Sequence, residues 1–408
     1  MKPSAVISPE TLDLTDKSHA RRTLVLAGTA HALHDGYTDM IYVLLPVWQT
    51  QFALGYSALA IVRALYVGCL AALQVPSGHL ALRINARTIL ILGTLVSAAG
   101  YALAGLSGGL VGLCASLALA GAGGSTQHPL ASAAVSRAYG EKARGPLGTY
   151  NFAGDLGKAS LPPALSLLLT VMNWCSALWV ASGLGVLVAL LLGLLMPRVK
   201  GPPAAHETES GSAGKAVGRG GFSLLFAIGV LDTAARMGFL LFLPFLLKAK
   251  GASLTTVGLA LSLVFIGGAF GKAACGWLGA RLGLLATVVT TEIGTAAGIL
   301  ALLALPLAQS LVLLPILGVM LNGTSSVLYG TVPELVAAGR IERAFALFYT
   351  GILGSSALAP VLYGRLGDAA GPAWAASASA MTALAVVPIM MVLAPRLVSR
   401  VSPATPKS

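Results

Sequence analysis

From Thr88 to Ser136 the chain carries no Asp, Glu, Lys or Arg. As one helix rising 1.5 Å per residue this run would be about 73 Å long, more than twice the roughly 30 Å of hydrocarbon in a bilayer. It therefore reads as two membrane-crossing helices, with Ser107, Gly108 and Gly109 making the turn between them. A soluble fold has no interior large enough for such apolar content. Across 408 residues, 56% are hydrophobic and only 10% charged, against roughly 25% charged in an ordinary soluble domain.

Charges, glycines and prolines bracket further segments of the length a crossing helix needs. In the first half the predicted spans are Leu24 to Trp48, Tyr56 to Ala81, Thr88 to Leu106, Leu110 to Tyr139, Arg144 to Leu169 and Trp174 to Leu195. In the second half they are Phe222 to Leu247, Leu254 to Leu282, Leu284 to Leu305, Leu311 to Val336, Ile341 to Leu366 and Pro372 to Leu393. Between Pro197 and Gly221 the composition turns to Gly, Pro, Ala, Ser and charge, a polar linker that divides the spans six and six. The predicted fold class is an all-α membrane protein, with twelve transmembrane helices in two six-helix pseudo-symmetric bundles. The expected organisation is a tail at 1–22, a bundle at 23–196, the linker at 197–221, a second bundle at 222–395 and a tail at 396–408. The polar N-terminal segment is not a cleavable signal, so the first span is expected to remain as an anchor.

The net charge of +12 has two sources to choose from, nucleic-acid contact or cationic loops on one side of a membrane. Placement favours the membrane. Nineteen Lys and Arg fall in tails and loops on one side, two (Lys248, Lys250) lie opposite, and five lie within spans. The positive-inside rule then puts both termini and the linker in the cytoplasm, here of a bacterial inner membrane, with no nucleic-acid partner. The cysteines Cys69, Cys114, Cys175 and Cys275 lie in apolar stretches without metal-ligand spacing and read as small core residues.

The loop after the second span contains Gly78, Arg83 and Arg87 in the order Gly-His-Leu-Ala-Leu-Arg-Ile-Asn-Ala-Arg. Its counterpart after the eighth contains Gly276, Arg281 and Gly283 in Gly-Trp-Leu-Gly-Ala-Arg-Leu-Gly. Both resemble the G-x-L-a-D-r-x-G-r-r/k gating loop of the major facilitator superfamily, at equivalent places in the two halves. The acidic residue of that motif is replaced by Leu82 and Ala280. The sequence from His31 to Tyr37, followed by Leu44-Leu45-Pro46, and the segment from Gly124 to Pro129, resemble the fosmidomycin-resistance branch of its efflux permeases. The resemblance implies that spans one, four, seven and ten line a central cavity, while three, six, nine and twelve face lipid. Polarity follows that expectation except at Glu292 in span nine.

On span one, His31, His34, Asp35, Thr38, Asp39 and Tyr42 fall within about 140° of arc at 100° per residue. Asp35 lies about 18 Å from the span's cytoplasmic end, near the midplane. A charge at that depth costs at least about 2.5–3.5 kcal/mol on insertion scales, so these residues are candidates for proton uptake and release: Asp35 or Asp39, partnered by His31 or His34, with Asp232 on span seven as their repeat counterpart. The alternative is a static hydrogen-bonded network that fixes helix packing. Two His and two Asp at this spacing also have the chemistry of a divalent-metal site, but no further ligand is evident on another helix, and no metal or cofactor is expected.

Candidates for the cavity wall are Tyr42, Gln127, His128, Asn151, Asp155, Lys158, Arg236, Asn322, Ser326 and Tyr329. Asp155 with Lys158 at i,i+3 and Asp232 with Arg236 at i,i+4 have the spacing of ion pairs. Lys272 is expected to pair with Glu334 or Glu292 or to meet an anionic substrate, and Arg63 to snorkel to the outer surface. Pro129 is expected to kink span four.

The function implied is secondary active transport: export of a small organic or drug-like molecule by proton antiport, in a monomer, with small molecule, proton and bilayer as its partners. Uptake of a small anionic metabolite by proton symport is the alternative favoured by Arg236, Lys272 and Lys158. A membrane enzyme or sensor finds no support, since the chain lacks a phosphate loop, a nucleophile elbow and an HExxH motif. Reporter fusions are predicted to place His206 in the cytoplasm and Gly55 and Gly109 outside; a periplasmic signal at His206 would reverse the orientation.

Overall fold

The computed structural model describes residues 9–197, 220–336 and 341–398. Side chains of 9–16, Leu82, Ala280, Ser326, Ile341, Glu342 and Val398 lie outside that description. So do most of the linker and the final residues, and with them the candidate side chain Ser326.

All described regular structure is helical: α1 (Pro9–Phe52), α2 (Tyr56–Arg83), α3 (Ala86–Leu106), α4 (Leu110–Gly124), α5 (Gln127–Tyr139), α6 (Arg144–Leu168), α7 (Trp174–Leu195), α8 (Gly221–Ala249), α9 (Leu254–Ala304), α10 (Leu307–Thr331), α11 (Ile341–Ala370) and α12 (Pro372–Val398). Among the described residues, ten segments are long and apolar enough to cross a membrane; α4 with α5 supplies one and α9 supplies two. The helices outside that set are α1 and α6, whose Asp, His and Lys side chains lower their hydropathy.

Most span boundaries in the sequence are reproduced closely, but α1 begins at Pro9 rather than at Leu24, so the helix runs back through the segment expected to be a tail. Span four is interrupted as Pro129 leads one to expect, into α4 and α5. The break falls at Ser125 and Thr126, because Pro129 has no N–H to offer the carbonyl four residues back. Both hydroxyls turn onto local carbonyls instead, Ser125 donating to Ala122 at 2.6 Å and Thr126 to Gly123 at 3.1 Å. Long α9 changes direction at Gly283, where φ is 80° and ψ 169°. The matching position of the first motif loop is Asn85, at φ 152°, whose side chain accepts from the Arg87 N–H at 2.9 Å. Asn replaces Gly in the same bend by capping the next helix itself.

Helices α1 to α7 pack on one another, as do α8 to α12, and the halves meet where α2 touches α11, α6 touches α9 and α1 touches α8. The α1–α6 crossing is close because it runs over glycines. A Cβ on Gly36 would lie 2.6 Å from Leu161 Cγ, and one on Gly154 would lie 2.6 Å from His31 Cε1 and 2.8 Å from Asp35 Oδ2. This approach brings α6 chemistry against the polar stripe of α1.

At the end remote from the linker the halves interlock. Asp368, in the last turn of α11, accepts from the backbone N–H of Tyr56 at 2.5 Å and of Ser57 at 3.1 Å, and from the Ser57 hydroxyl at 2.5 Å. It thus caps the N-terminus of α2 from the opposite half, where the local Gly55 provides no side-chain cap. Around it Tyr56 packs on Phe242 and Phe245, with ring centroids 5.3 and 5.0 Å away. Loss of a helix cap costs about 0.5–2 kcal/mol, a roughly 2- to 30-fold change in an equilibrium. Asp368→Ala is therefore expected to open this end. Spin labels at the exposed residues Val171 and Trp374, in a chain freed of its cysteines, are to show a larger share of long distances; an unchanged distribution would remove Asp368 from the closure.

Candidate functional site

Asp35 is the centre of the polar cluster. His31 Nε2 lies 3.4 Å from its Oδ2, His128 Nε2 3.7 Å from its Oδ1, and the Lys158 ammonium 3.2 Å from its Oδ2. Three helices supply these groups. One turn of α1 separates His31 from Asp35, the α4–α5 break brings in His128, and the glycine crossing brings Lys158 of α6.

The hydrogen bonds fix where a proton must be. His31 Nδ1 lies 2.8 Å from the Tyr150 carbonyl oxygen, which only accepts, so Nδ1 carries a hydrogen. Its Nε2 then faces Asp35 with a lone pair unless a second proton sits on that nitrogen or on the carboxyl. The His31–Asp35 contact is thus a place for one exchangeable proton. His31 is held there by stacking on Tyr150, at 4.2 Å between centroids, and by an edge contact with His128 at 5.2 Å.

His34 does not share this role. Its Nε2 is 3.2 Å from Thr94 Oγ1, whose own hydrogen goes to the Leu90 carbonyl, so His34 donates to Thr94 and its Nδ1 has no partner. Asp39 is buried a turn further along, with Lys158, Arg63 and Arg236 supplying the positive charge nearest it.

Several expected pairings are corrected. Lys158 is engaged with Asp35, and Asp155 forms its ion pair with Lys272 of α9 at 2.5 Å, across the two halves. Sequence spacing favoured the local partner; the α6–α9 contact supplied a distant one. Lys272 consequently meets neither Glu334 nor Glu292 in this pair. Arg236 gives its guanidinium to Asn322 Oδ1 at 3.3 Å rather than closing an ion pair with Asp232. Arg63 does not snorkel: it is 2% exposed, reaches the Ser356 carbonyl at 3.4 Å and Met237 Sδ at 3.7 Å, and lies 4.5 Å over the Tyr42 ring. Glu292 does not face lipid; it is 1% exposed and accepts from Thr324 at 2.9 Å.

Of the remaining candidates, Tyr42 is buried with its hydroxyl 3.6 Å from Met237 Sδ. Buried Gln127 donates to the Ala27 carbonyl at 3.3 Å, leaving its carbonyl oxygen without a partner. Tyr329 packs on Phe348 and Tyr349 at 5.4 and 6.0 Å. Asn151 is exposed and is not drawn into the cluster. In the motif loops, nothing lies within 4 Å of a Cβ built on Gly78 or Gly276, Arg281 lies 4.4 Å over Trp277, and Arg87 donates to the Gly193 carbonyl near the end of α7. Arg83 is exposed.

Among the described residues, the groups with metal-ligand chemistry are His31, Asp35 and His128, whose ligand atoms lie within 4.8 Å of one another. This set differs from the one the α1 spacing suggests, which includes His34 and Asp39. Lys158 already places a cation against the carboxylate that a metal would need.

Arg63, Glu292 and Asp368 were missed as site residues. The signal for Arg63 was its depth, seven residues inside α2 or about 10 Å, too far for easy escape to water.

The sequence profile described as Major Facilitator Superfamily matches this chain twice, over residues 27–227 and 224–408. The chain belongs to the major facilitator superfamily. Its two matches overlap at 224–227, in the first turns of α8 just past the linker, so that each spans one half. Among solved structures, a bacterial homologue of the human lysosomal transporter Spinster, in an inward-facing and occupied conformation, is 16% identical with a TM-score of 0.75, covering 95% of this chain and 99% of its own. The nucleoside transporter NupG is 13% identical with a TM-score of 0.72, at 93% and 100% coverage. A POT family transporter in complex with 5-aminolevulinic acid is 15% identical with a TM-score of 0.72, at 92% and 96%. No curated protein matches by sequence. These likenesses show that the chain shares the fold of solved transporters.

If Asp155 and Lys272 form one buried pair, Asp155→Asn is to destabilise the protein more than Asp155→Asn with Lys272→Gln, with a coupling of roughly 0.5–3 kcal/mol in thermal unfolding. Asp155→Asn combined with Lys158→Gln is to show no such rescue. Additive effects in the first cycle would dissolve the pair.

Proposed function

We propose that this protein is a proton-coupled antiporter that exports a small organic molecule across a bacterial inner membrane by alternating access of its two halves. In this reading α1 and α6 join the ten apolar segments to make twelve spans, both termini and the linker are cytoplasmic, and the monomer is the working unit. The observation that carries the proposal is the Asp35 cluster: a buried carboxylate held by His31, His128 and Lys158, with one exchangeable proton at the His31 contact.

Substrate recognition is assigned to the region between Arg63, Tyr42, Arg236, Asn322 and Tyr329. The Nε–H groups of Arg63 and Arg236 are both buried without a partner, which supports a substrate bearing an anionic or acceptor-rich group. The short motifs shared with the fosmidomycin-resistance branch support drug-like cargo. The same guanidinium groups favour the second reading, uptake of a small anionic metabolite by symport, since one cycle runs in either direction.

A deletion strain screened against antibiotics, organic acids and metal or metalloid salts identifies the cargo, and inverted vesicles give its direction. In proteoliposomes Asp35→Asn, a permanent mimic of the protonated carboxyl, is expected to lower pH-gradient-driven accumulation at least about tenfold while exchange without a gradient survives. Full gradient-driven accumulation in this variant would pass the role to Asp39 or Asp232, tested in the same way as Asp39→Asn and Asp232→Asn, and retention in all three variants would defeat the carboxylate mechanism.

A further inference from the structure

A second titratable centre lies in the other half, away from the Asp35 cluster. Asp232 of α8 is 5% exposed and Glu292 of α9 1% exposed. Their carboxyl groups face each other within hydrogen-bonding reach, where a bond between them needs a shared proton. Thr324 of α10 donates to Glu292 Oε1 at 2.9 Å and is itself 2.7 Å from the Thr291 hydroxyl. The pair is therefore positioned from three helices.

The charge facing this pair is Arg236, one turn along α8 from Asp232. Its guanidinium is turned to Asn322 of α10, and its Nε has no partner. Asn322 and Thr324 are the polar groups of α10 here, and Tyr329, backed by Tyr349 of α11, stands beyond them. Helix α12 packs against both α8 and α9 and has no titratable side chain between Pro372 and Leu393. Among the described residues, Arg236 is the cation placed to answer the negative charge that a departing proton leaves on the pair. The i,i+4 spacing lets it do so by turning from Asn322 to Asp232.

We propose that Asp232 and Glu292 form a second proton-binding site, occupied while Arg236 reaches Asn322 and emptied as Arg236 turns onto Asp232. The proton passes between a carboxyl oxygen and cavity water; only the O–H bond is exchanged. The proposal deepens the proton-coupled reading above, since it makes Arg236 the link between proton occupancy in one half and the substrate region between the halves.

The test needs no substrate. Full-length protein in lipid is taken through a pH jump while infrared difference spectra record carboxylic C=O stretching. Wild type is expected to show a band that both Glu292→Gln and Asp232→Asn abolish and that Asp35→Asn leaves in place. Arg236→Gln is to shift the midpoint of that band to higher pH, because it removes the cation that stabilises the ionised pair. Thermal unfolding checks that each variant is folded, and Glu292→Asp serves as a second variant that is to restore the band. A band unchanged by Glu292→Gln and Asp232→Asn would overturn the site. Failure of the Asp35 mechanism is read separately, in the proteoliposome assay, so the two results are distinguishable.

Discussion

Everything polar in this molecule answers to the cost of holding charge away from water. A lone ion in hydrocarbon is unstable by several kcal/mol, and the spans nevertheless contain carboxylates, lysines and arginines. The structure meets the cost by bringing opposite charges together from helices far apart in sequence: Asp35 with Lys158, and Asp155 with Lys272. Helix placement and charge placement are therefore one problem. The α1–α6 crossing is close because Gly36 and Gly154 allow it, and that closeness is what lets Lys158 reach Asp35.

These pairs differ in what they join. Asp35 and Lys158 lie in the same half, so their contact can persist while the halves move. Asp155 and Lys272 lie in different halves, and with Arg63 bridging to Ser356 and Met237 they tie the halves together near the middle of the molecule. An ion pair between moving bodies must be broken or re-formed in a cycle of alternating access. Its partners then need replacements, in water or in a substrate, at each stage.

The fold was largely legible in the sequence because span length and loop composition are properties of continuous segments. Gly283 was identified as a boundary from residue type alone, and the bend lies there. Pair identities were not legible, because i,i+3 and i,i+4 spacing is visible in one dimension while a partner on another helix is not. Lys158 and Asp155 are three residues apart yet choose different partners, decided by the α1–α6 and α6–α9 contacts. Glu292 was misjudged for a related reason. Assigning a whole span to lipid overlooks that a helix has faces, and this residue sits on the inner one against Thr324.

The two ends of the molecule are also unequal in a way residue type explains. At the motif position where the resembling family carries an acid, this chain has Leu82 and Ala280, neither of which can offer a charge to a helix N-terminus. At the opposite end Asp368 makes that interaction, with two backbone donors and a hydroxyl of α2. The electrostatic clasp at the remote end thus has no counterpart at the two motif positions of the other end. Opening that end requires the Tyr56 and Ser57 N–H groups to find water in place of Asp368. The aromatic contacts of Tyr56 with Phe242 and Phe245 delay that exchange, since water must enter past them.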